Sequence, residues 1–196
     1  MLDVTDRPVV IIGGGRVAAR KAAGLIDAGA TRITVVSPAF CEQMPLAVKR
    51  VIERYRAEHL ADAALVFAAT DVREVNDAVV RDARSRGILV QRVDGDETEP
   101  GDFTTPAVYR DGPIVLAIST SGSPPLAAMI RDRLAEQVDP IWIKMAEAMK
   151  TLRPMILQSA DADQRRKMFH RAASAEGIEV FRKGGVEGLK AWMFGI

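Results

Sequence analysis

The sequence predicts an α/β protein with a Rossmann-like parallel sheet, followed by a hairpin and a helical C-terminal region. Three observations support this prediction. An apolar, β-branched run at Val9–Ile12 ends in three glycines and leads at once into a helical pattern. Strand and helix patterns then alternate up to Asp94, which is typical of a parallel sheet with crossover helices. Beyond Ser123 the periodic segments are helical.

The first strand, the glycine turn and the first helix have the clearest pattern. Arg16–Ala28 has apolar residues at helical spacing, and Gly29 suits the left-handed position that follows many helices. Ile33–Val36 is rich in β-branched residues, so we expect it to return as a strand parallel to Val9–Ile12. Together these segments form one βαβ unit.

Three further strands complete the predicted sheet, and one helix lies between the last two of them. Val48–Ile52 has the pattern of a short strand, and Ala64–Ala69 is a continuous apolar run of the kind buried on both faces of a parallel sheet. Val72–Arg86 is predicted to be helical, because its apolar residues recur four positions apart. Ile88–Val93 is the last predicted parallel strand, and Asp94 follows it directly.

The second half of the chain has a different character. Asp111-Gly112 is a strong turn signal between two strand patterns, Phe103–Tyr109 and Pro113–Ser119. Helical patterns follow, and Pro154 and Gly177 are expected to end two of them. We therefore expect three regions, at residues 1–112, 113–145 and 146–196.

Composition restricts the functional classes. Lys and Arg number 27 and Asp and Glu 26, so the net charge of +1 gives no reason to expect binding to nucleic acid or to a membrane surface. The single cysteine, Cys41, excludes an internal disulfide and a cysteine-rich zinc site, and we expect no metal site. The chain lacks both an apolar run of about 18 residues and a signal-peptide pattern, so we expect a cytoplasmic protein.

The glycine turn has the pattern of a dinucleotide-binding site. Gly13, Gly15 and Ala18 occupy the G-x-G-x-x-G/A positions. Gly13 permits the tight turn, Gly15 lets a pyrophosphate approach the backbone, and the N–H groups at the helix start attract its charge. The alternative is a strand–helix turn in an α/β domain that binds no nucleotide. The predicted cofactor contacts in this segment are Gly13, Gly14, Gly15, Arg16 and Val17.

The second strand does not end in the acidic residue that the motif places beside the ribose. Ser37-Pro38 stands there instead, and Ser37 can hydrogen-bond a ribose hydroxyl more weakly than a carboxylate would. Arg16 and Arg20 lie close enough to tolerate a 2′-phosphate. The residues by themselves therefore leave the choice between NAD and NADP open.

Further candidates lie at the carboxyl edge of the predicted sheet, where open α/β sheets bind ligands. Thr70 could donate to cofactor oxygens, or it could form an ordinary N-cap with Asp71. Asp94 is the favoured catalytic residue, because a carboxylate there could accept a proton while a hydride leaves the substrate. It also begins an acidic run, residues 94–102, so a solvated turn aspartate is the alternative. Ser119–Ser123 could bind an anion before a helix, or form a loop with an N-cap.

Taken together, these segments resemble the precorrin-2 dehydrogenase and sirohydrochlorin ferrochelatase family, whose dehydrogenase is the NAD-dependent module of sirohaem synthesis. The resemblance runs from about Pro8 to about Leu134. Its motifs, in chain order, are Ile11–Lys21, Val35–Pro38, Phe67–Asp71, Val75-Asn76, Val93-Asp94 and Ile118–Ala127. The joint order and spacing of these motifs are far more specific than the glycine turn alone.

The resemblance implies an activity and a partner. Two hydrogens would leave precorrin-2, a tetrapyrrole, giving sirohydrochlorin and NADH, with NAD as the cofactor. The aspartate matching Asp94 is the proposed acid–base residue of the family, and in some members it also serves iron insertion. Ser123, with Ser121, is expected to contact the substrate. A homodimer is implied as well, with residues 113–145 as the dimerisation region and the C-terminal helices helping to cover the substrate.

Two alternatives to a simple dehydrogenase stay open. One is a bifunctional enzyme that also inserts ferrous iron into sirohydrochlorin, and the other is a non-catalytic NAD(P)-binding module that reports redox state. Where the family often has asparagine before Val-Val-Asp, this chain has Gln91-Arg92. The substrate is rich in carboxylates, so four arginines are candidate contacts, each with a solvated surface charge as its alternative. They are Arg92, Arg110, Arg131 and Arg133.

Overall fold

The computed structural model describes residues 2–94, 101–159 and 161–195. The chain folds into two compact units, Met1–Thr104 and Thr105–Ile196. The first unit carries the parallel sheet and the second carries the hairpin and the C-terminal helices. This architecture confirms the predicted fold class.

The first unit is built on a five-stranded parallel sheet. Its strands are β1 (Val9–Ile12), β2 (Ile33–Val36), β3 (Lys49–Val51), β4 (Leu65–Ala68) and β5 (Leu89–Arg92). The strand order is β3-β2-β1-β4-β5. Helix α1 (Arg16–Asp27) connects β1 to β2, and helix α2 (Arg73–Ser85) connects β4 to β5. A short 3₁₀ turn, Ala57–Leu60, lies between β3 and β4.

Strand β1 lies at the centre of the sheet and is buried on both faces. Val9 and Ile11 belong to one apolar layer, which is completed by residues of α1. Val10 and Ile12 belong to the other layer, which is completed by residues of α2. Because side chains alternate along a strand, a continuous apolar run is what a strand covered on both faces requires.

The register of the sheet determines where the functional edge lies. Ile12 pairs with Val36 on one side and with Ala68 on the other, and Ala68 pairs with Arg92. The carboxyl ends of β1, β2, β4 and β5 therefore lie at one level. The loops that follow these strands are brought to one edge of the sheet, as the sequence predicts.

The second unit begins with an antiparallel hairpin. Strand β6 (Ala107–Asp111) pairs with strand β7 (Ile114–Ile118), and Gly112 adopts the positive φ that the turn needs. Four helices follow: α3 (Pro124–Ala135), α4 (Pro140–Ser159), α5 (Ala162–Ala172) and α6 (Ala175–Phe194). The sequence places a boundary after Gly112, whereas the first compact unit ends at Thr104, because β6 pairs with β7.

Two expected helix ends are wrong. Pro154 lies inside α4, where the fully buried Ile156 and the nearly buried Leu152 anchor the helix on both sides of the proline. Gly177 lies inside α6, whose N-cap is Ser174. A Cβ at Gly177 would overlap the carbonyl oxygen of Ala172, so this glycine permits close approach of the backbone rather than ending a helix. Within the described ranges, no helix is both long and apolar enough to cross a membrane.

Candidate functional site

A cavity of about 1200 Å³ opens at the carboxyl edge of the parallel sheet. It lies wholly within the first unit. Nine residues that the sequence singles out line it: Gly13, Gly14, Gly15, Arg16, Val17, Ser37, Pro38, Thr70 and Asp94. The structure therefore brings the predicted cofactor and catalytic positions of this unit together at one place.

The glycine turn at the floor of the cavity has a steric reason for two of its glycines. Gly13 has a φ of +124°, and a Cβ there would overlap the carbonyl oxygen of Ala69. A Cβ at Gly14 would overlap the carbonyl oxygen of Ala39 and would lie 2.7 Å from Ser37 Oγ. At Gly15 no atom lies within 4 Å of that position. The turn is thus closely packed beneath and open above Gly15.

Helix α1 presents its N-terminus to this opening. Its N-cap is Gly15, in an extended conformation, with no side-chain cap hydrogen bond. The first turn contains no acidic residue. The N–H groups at a helix start lack partners in the helix and carry a partial positive charge, so they favour an anion. The uncapped start, together with the open space over Gly15, fits a pyrophosphate.

The end of strand β2 forms a second wall. Ser37 is buried, and its N–H donates to the Val51 carbonyl oxygen at 3.1 Å. Arg54 and Tyr55, which sequence reasoning missed, also line the cavity. They follow β3, whose carboxyl end lies at the same edge, and this topology was the signal that could have found them.

Tyr55 is held in place by helix α2. Its hydroxyl donates to Asp82 Oδ2 at 2.7 Å. Burial raises the pKa of Tyr55, and the hydrogen bond to Asp82 raises it further. The ring is therefore a neutral, fixed wall of the cavity at physiological pH.

Thr70 is fixed by its own protein contacts. Its Oγ1 lies 2.8 Å from Asn76 Oδ1 and 3.0 Å from the Val72 carbonyl oxygen, and it accepts from the Val72 N–H at 3.2 Å. Asn76 is fully buried and donates from Nδ2 to the Thr70 carbonyl oxygen at 3.0 Å. The N-cap of α2 is Val72, without a side-chain cap hydrogen bond, so the alternative that Thr70 and Asp71 form the N-cap is wrong. The contact of Thr70 with a cofactor stays a prediction.

Asp94 is part of a hydrogen-bonded network, and it is not simply a solvated turn residue. Asn76 Nδ2 donates to Asp94 Oδ2 at 2.8 Å. Arg92 donates from Nε to Asp94 Oδ1 at 2.6 Å and from Nη2 to Oδ2 at 2.9 Å. Within the rest of the acidic run, residues 95–100 lie outside the described residues, and Asp102 pairs with Arg84.

The sequence offers two interpretations of Arg92, a contact with substrate carboxylates and a solvated surface charge. Its side chain is 1% exposed and pairs with Asp77 on one side and Asp94 on the other. It is therefore not a solvated surface charge. Asp77 and Asp94 are carboxylates of this chain, so these two ion pairs give no support to a role of Arg92 in binding substrate carboxylates.

A comparison with protein families identifies the kind of nucleotide that this cavity suits. The family model described as "Putative NAD(P)-binding" matches residues 1–107. The chain belongs to this family. The predicted glycine turn, Ser37-Pro38 and Asp94 all fall within the matched region, which confirms an NAD(P) site as the expected cofactor class.

Comparisons with individual proteins agree with the family. The chain is 34% identical to a siroheme synthase of Nitrosospira multiformis over 98% of its own length and 42% of that protein. It is 37% identical to siroheme synthase 1 of Aeromonas salmonicida over 88% of its own length and 38% of that protein. The chain thus spans about two fifths of these relatives. The resemblance to the sirohaem-synthesis module is confirmed.

A solved structure supports the fold of the whole chain. The structure named "SirC, precorrin-2 dehydrogenase" superposes with a TM-score of 0.78 and 22% sequence identity. The match covers 100% of this chain and 98% of that one. The likeness includes the C-terminal helices as well as the parallel sheet.

The predicted substrate residues Ser121 and Ser123 lie in the second unit of the chain. Ser121 has a φ of +47°, and Ser123 is the N-cap of α3 without a side-chain cap hydrogen bond. The next two residues, Pro124 and Pro125, have no N–H to offer an anion. Anion binding by the backbone at this helix start is therefore weaker than the sequence suggests, and substrate contact by the two serines stays a prediction.

The remaining three arginine candidates lie in the second unit. Arg131 pairs with its neighbour Asp132, and Arg133 pairs with Glu136. Arg110 is on β6 of the hairpin. Across the part of the chain that the structure describes, no group of three metal-ligating side chains is placed to hold a metal ion.

Proposed function

We propose that this protein oxidises precorrin-2 to sirohydrochlorin, with NAD⁺ as the hydride acceptor. The observation that carries the proposal is that the glycine turn and Asp94 line the same cavity. The similarity to siroheme synthases over nearly the whole chain supports the substrate class. A tetrapyrrole is therefore the proposed substrate.

The residues of the cavity fit a dinucleotide. The uncapped start of α1 suits the pyrophosphate, and the open space over Gly15 lets it approach the backbone. Ser37 stands at the end of β2, in the place of the usual ribose-binding carboxylate. NAD is proposed over NADP because the Ser37-Pro38 pair is part of the motif shared with the sirohaem-synthesis family.

Asp94 is proposed to move the proton. The bound nicotinamide would take up a hydride, so the second hydrogen must leave the substrate as a proton. A carboxylate held by Arg92 and Asn76 is an acceptor for that proton. The Asp94 side chain is 25% exposed, which lets it return the proton to solvent after each turnover.

A second copy of the chain is the proposed partner. The hairpin and α3 leave apolar side chains in contact with solvent, with Met129 61% exposed and Val108 45% exposed. No residue of β7 is buried, although the strand reads Ile-Val-Leu-Ala-Ile. Two strands with such a surface need a further layer, and a homodimer through residues 113–145 supplies it.

Ferrous iron insertion is not part of the proposed main activity. The Asp94 carboxylate already accepts charge-assisted hydrogen bonds from Arg92, and these compete with binding of a cation. Absorbance spectra of sirohydrochlorin, recorded with the protein and with or without ferrous iron, test this point. A spectrum that changes on adding iron only when the protein is present would establish the second activity.

The test is turnover of precorrin-2 with NAD⁺ or NADP⁺ under anaerobic conditions, so that dioxygen cannot replace the nucleotide as oxidant. We expect reduced nucleotide and sirohydrochlorin to appear in equal amounts, faster with NAD⁺. Asp94→Asn keeps the size of the side chain but cannot accept the proton, so kcat falls about 100-fold or more. Binding of NAD⁺ without turnover by the wild-type protein would favour the non-catalytic module instead.

Asp62→Asn is a matched control for this variant. Asp62 is an exposed carboxylate that precedes β4, at the opposite edge of the sheet. We expect its kcat to stay within about two-fold of wild type, since exposed surface substitutions have little effect. Wild-type turnover by Asp94→Asn would show that Asp94 has no part in proton transfer.

A further inference from the structure

A buried cation lies directly behind the proposed catalytic carboxylate. Arg92 is the last residue of β5, and its side chain is 1% exposed. On one side it forms two hydrogen bonds to Asp94, and on the other side it donates from Nη1 to Asp77 Oδ1. An arginine with so little exposure is stable only when its charge is paired, as it is here.

The charge on Arg92 is permanent. Its hydrogen bond to Asp94 is the largest effect on its pKa, which lies above the ordinary arginine value, while burial acts in the opposite direction. Asp77 adds to the upward shift. The guanidinium therefore stays positive at every pH at which the protein is folded, and Asp94 always faces a full positive charge.

The same contacts fix the direction of the Asp94 carboxylate. Arg92 reaches both of its oxygens, Nε to Oδ1 at 2.6 Å and Nη2 to Oδ2 at 2.9 Å. Asn76, which is fully buried, adds a third hydrogen bond to Oδ2 and is held in turn by Thr70. A bidentate guanidinium pair restricts orientation more than a single contact does.

Other charged groups of both signs surround the cavity, and Arg16 and Arg54 line it together with acidic side chains. Asp77 of α2 pairs with the far side of Arg92, and Asp71 and Glu74 line the same cavity as Asp94. These carboxylates would favour protonation of Asp94, because like charges disfavour the ionised form. Arg92 opposes them from direct contact with both Asp94 oxygens, so its removal should shift the balance toward protonation.

We infer that Arg92 is a positioning residue that keeps Asp94 ionised and aimed at the substrate, so that Asp94 enters the reaction as a proton acceptor. This inference rests on the proposed function. In the oxidation, one C–H bond of the substrate breaks with its electron pair passing to NAD⁺ as hydride. The other hydrogen leaves as a proton to Asp94, its electron pair stays in the macrocycle as a new double bond, and Asp94 then loses the proton to water.

The test compares Arg92→Met, Arg92→Lys and Asp77→Asn with wild type in two measurements. The first is the pH midpoint of the Asp94 carboxyl, followed by ¹³C NMR and assigned with Asp94→Asn. The second is the acid limb of kcat/KM for precorrin-2. We expect Arg92→Met to raise both by about one pH unit or more. In Arg92→Lys both values should lie between those of wild type and Arg92→Met, because lysine keeps the positive charge. The KM for NAD⁺ should be unchanged in these variants.

Asp77→Asn separates charge from packing. It removes a contact of Arg92 but also a negative charge, so the Asp94 midpoint should stay level or move down, opposite to Arg92→Met. If packing alone mattered, both variants would move the midpoint in the same direction, and the inference would be overturned.

The NMR measurement keeps the inference independent of the substrate. An Asp94 midpoint that is the same in Arg92→Met and Arg92→Lys as in wild type overturns the inference. If the midpoint moves as expected while the wild-type protein does not oxidise precorrin-2, the proposed function fails and the effect of Arg92 on Asp94 stands. If Arg92→Met does not fold, Arg92→Lys and Asp77→Asn decide. A higher midpoint in Arg92→Lys with a level or lower midpoint in Asp77→Asn is expected, and a rise in both variants overturns the inference.

Discussion

Gly15 offers the sharpest test of where the dinucleotide binds. Its φ and ψ of −80° and −176° are open to any residue, and a Cβ there would meet no atom within 4 Å. Gly15→Ala should therefore fold like wild type, apart from a small loss at the helix cap. The added methyl group would instead occupy the space through which the pyrophosphate approaches the backbone.

The magnitude follows from ligand-linked stability. NAD⁺ at about 100 times its Kd stabilises a protein by about 2.7 kcal/mol, which for a chain of this size raises Tm by about 5–10 °C. Losing one charge-assisted hydrogen bond of about 1.5–3 kcal/mol weakens binding by about 10- to 150-fold. The same NAD⁺ concentration then stabilises the variant by about 0.3–1.3 kcal/mol. The NAD⁺-induced shift should fall to less than about half that of wild type.

The assay is thermal unfolding of each protein with and without NAD⁺, because the difference cancels any effect on the protein alone. Gly24→Ala is the matched control: Gly24 lies on α1, and a Cβ there also meets no atom within 4 Å. It should raise Tm without ligand, since alanine is the better helix former, and keep the full NAD⁺ shift. A full NAD⁺ shift in Gly15→Ala would refute the argument that the cofactor lies against this turn.

Two further predictions concern the wall of the cavity and the hairpin surface. Tyr55→Phe removes the hydrogen bond to Asp82 and should lower the free energy of unfolding by about 1 kcal/mol at neutral pH. Because the pKa of Tyr55 is raised in the folded state, its contribution is complete below the ordinary value of 10.0 and is lost as the pH rises further. The difference between the two proteins in urea unfolding should shrink above that pH; a constant difference would contradict the assignment. Met129→Glu places a charge on the exposed apolar surface of α3 and should shift the protein toward monomers in sedimentation, with an unchanged dimer as the contrary result.

Local patterns accounted for most of the fold. Val9–Ile12, the glycines and α1 were predictable because strand and helix periods and a glycine turn depend on neighbouring residues. The cavity followed from the rule that parallel strands end at one edge, which placed Ser37 and Asp94 near the glycine turn. Tyr55 was missed although the strand before it was predicted, because it lies four positions beyond the end of β3, where no periodic pattern fixes the direction of a side chain.

The environment of Arg92 could not be predicted from local pattern. Its partner Asp77 lies 15 positions earlier and on a helix, so the pairing exists only once β5 and α2 are packed together. The expected break at Pro154 failed for a similar reason, because tertiary burial of Ile156 and Leu152 outweighs the lost backbone hydrogen bond. Ion pairs and helix continuity both depend on contacts between elements that are distant in sequence.

We propose that the backbone at the start of α1 holds the pyrophosphate of NAD and so brings the nicotinamide to the side of the cavity that contains Asp94. A crystal structure of the protein with NAD⁺ tests this most directly. We expect phosphate oxygens within hydrogen-bond distance of the N–H groups at Gly15 and Arg16, and the nicotinamide ring beside Asp94. A dinucleotide bound elsewhere, with the space over Gly15 empty or filled by the protein's own atoms, would contradict it.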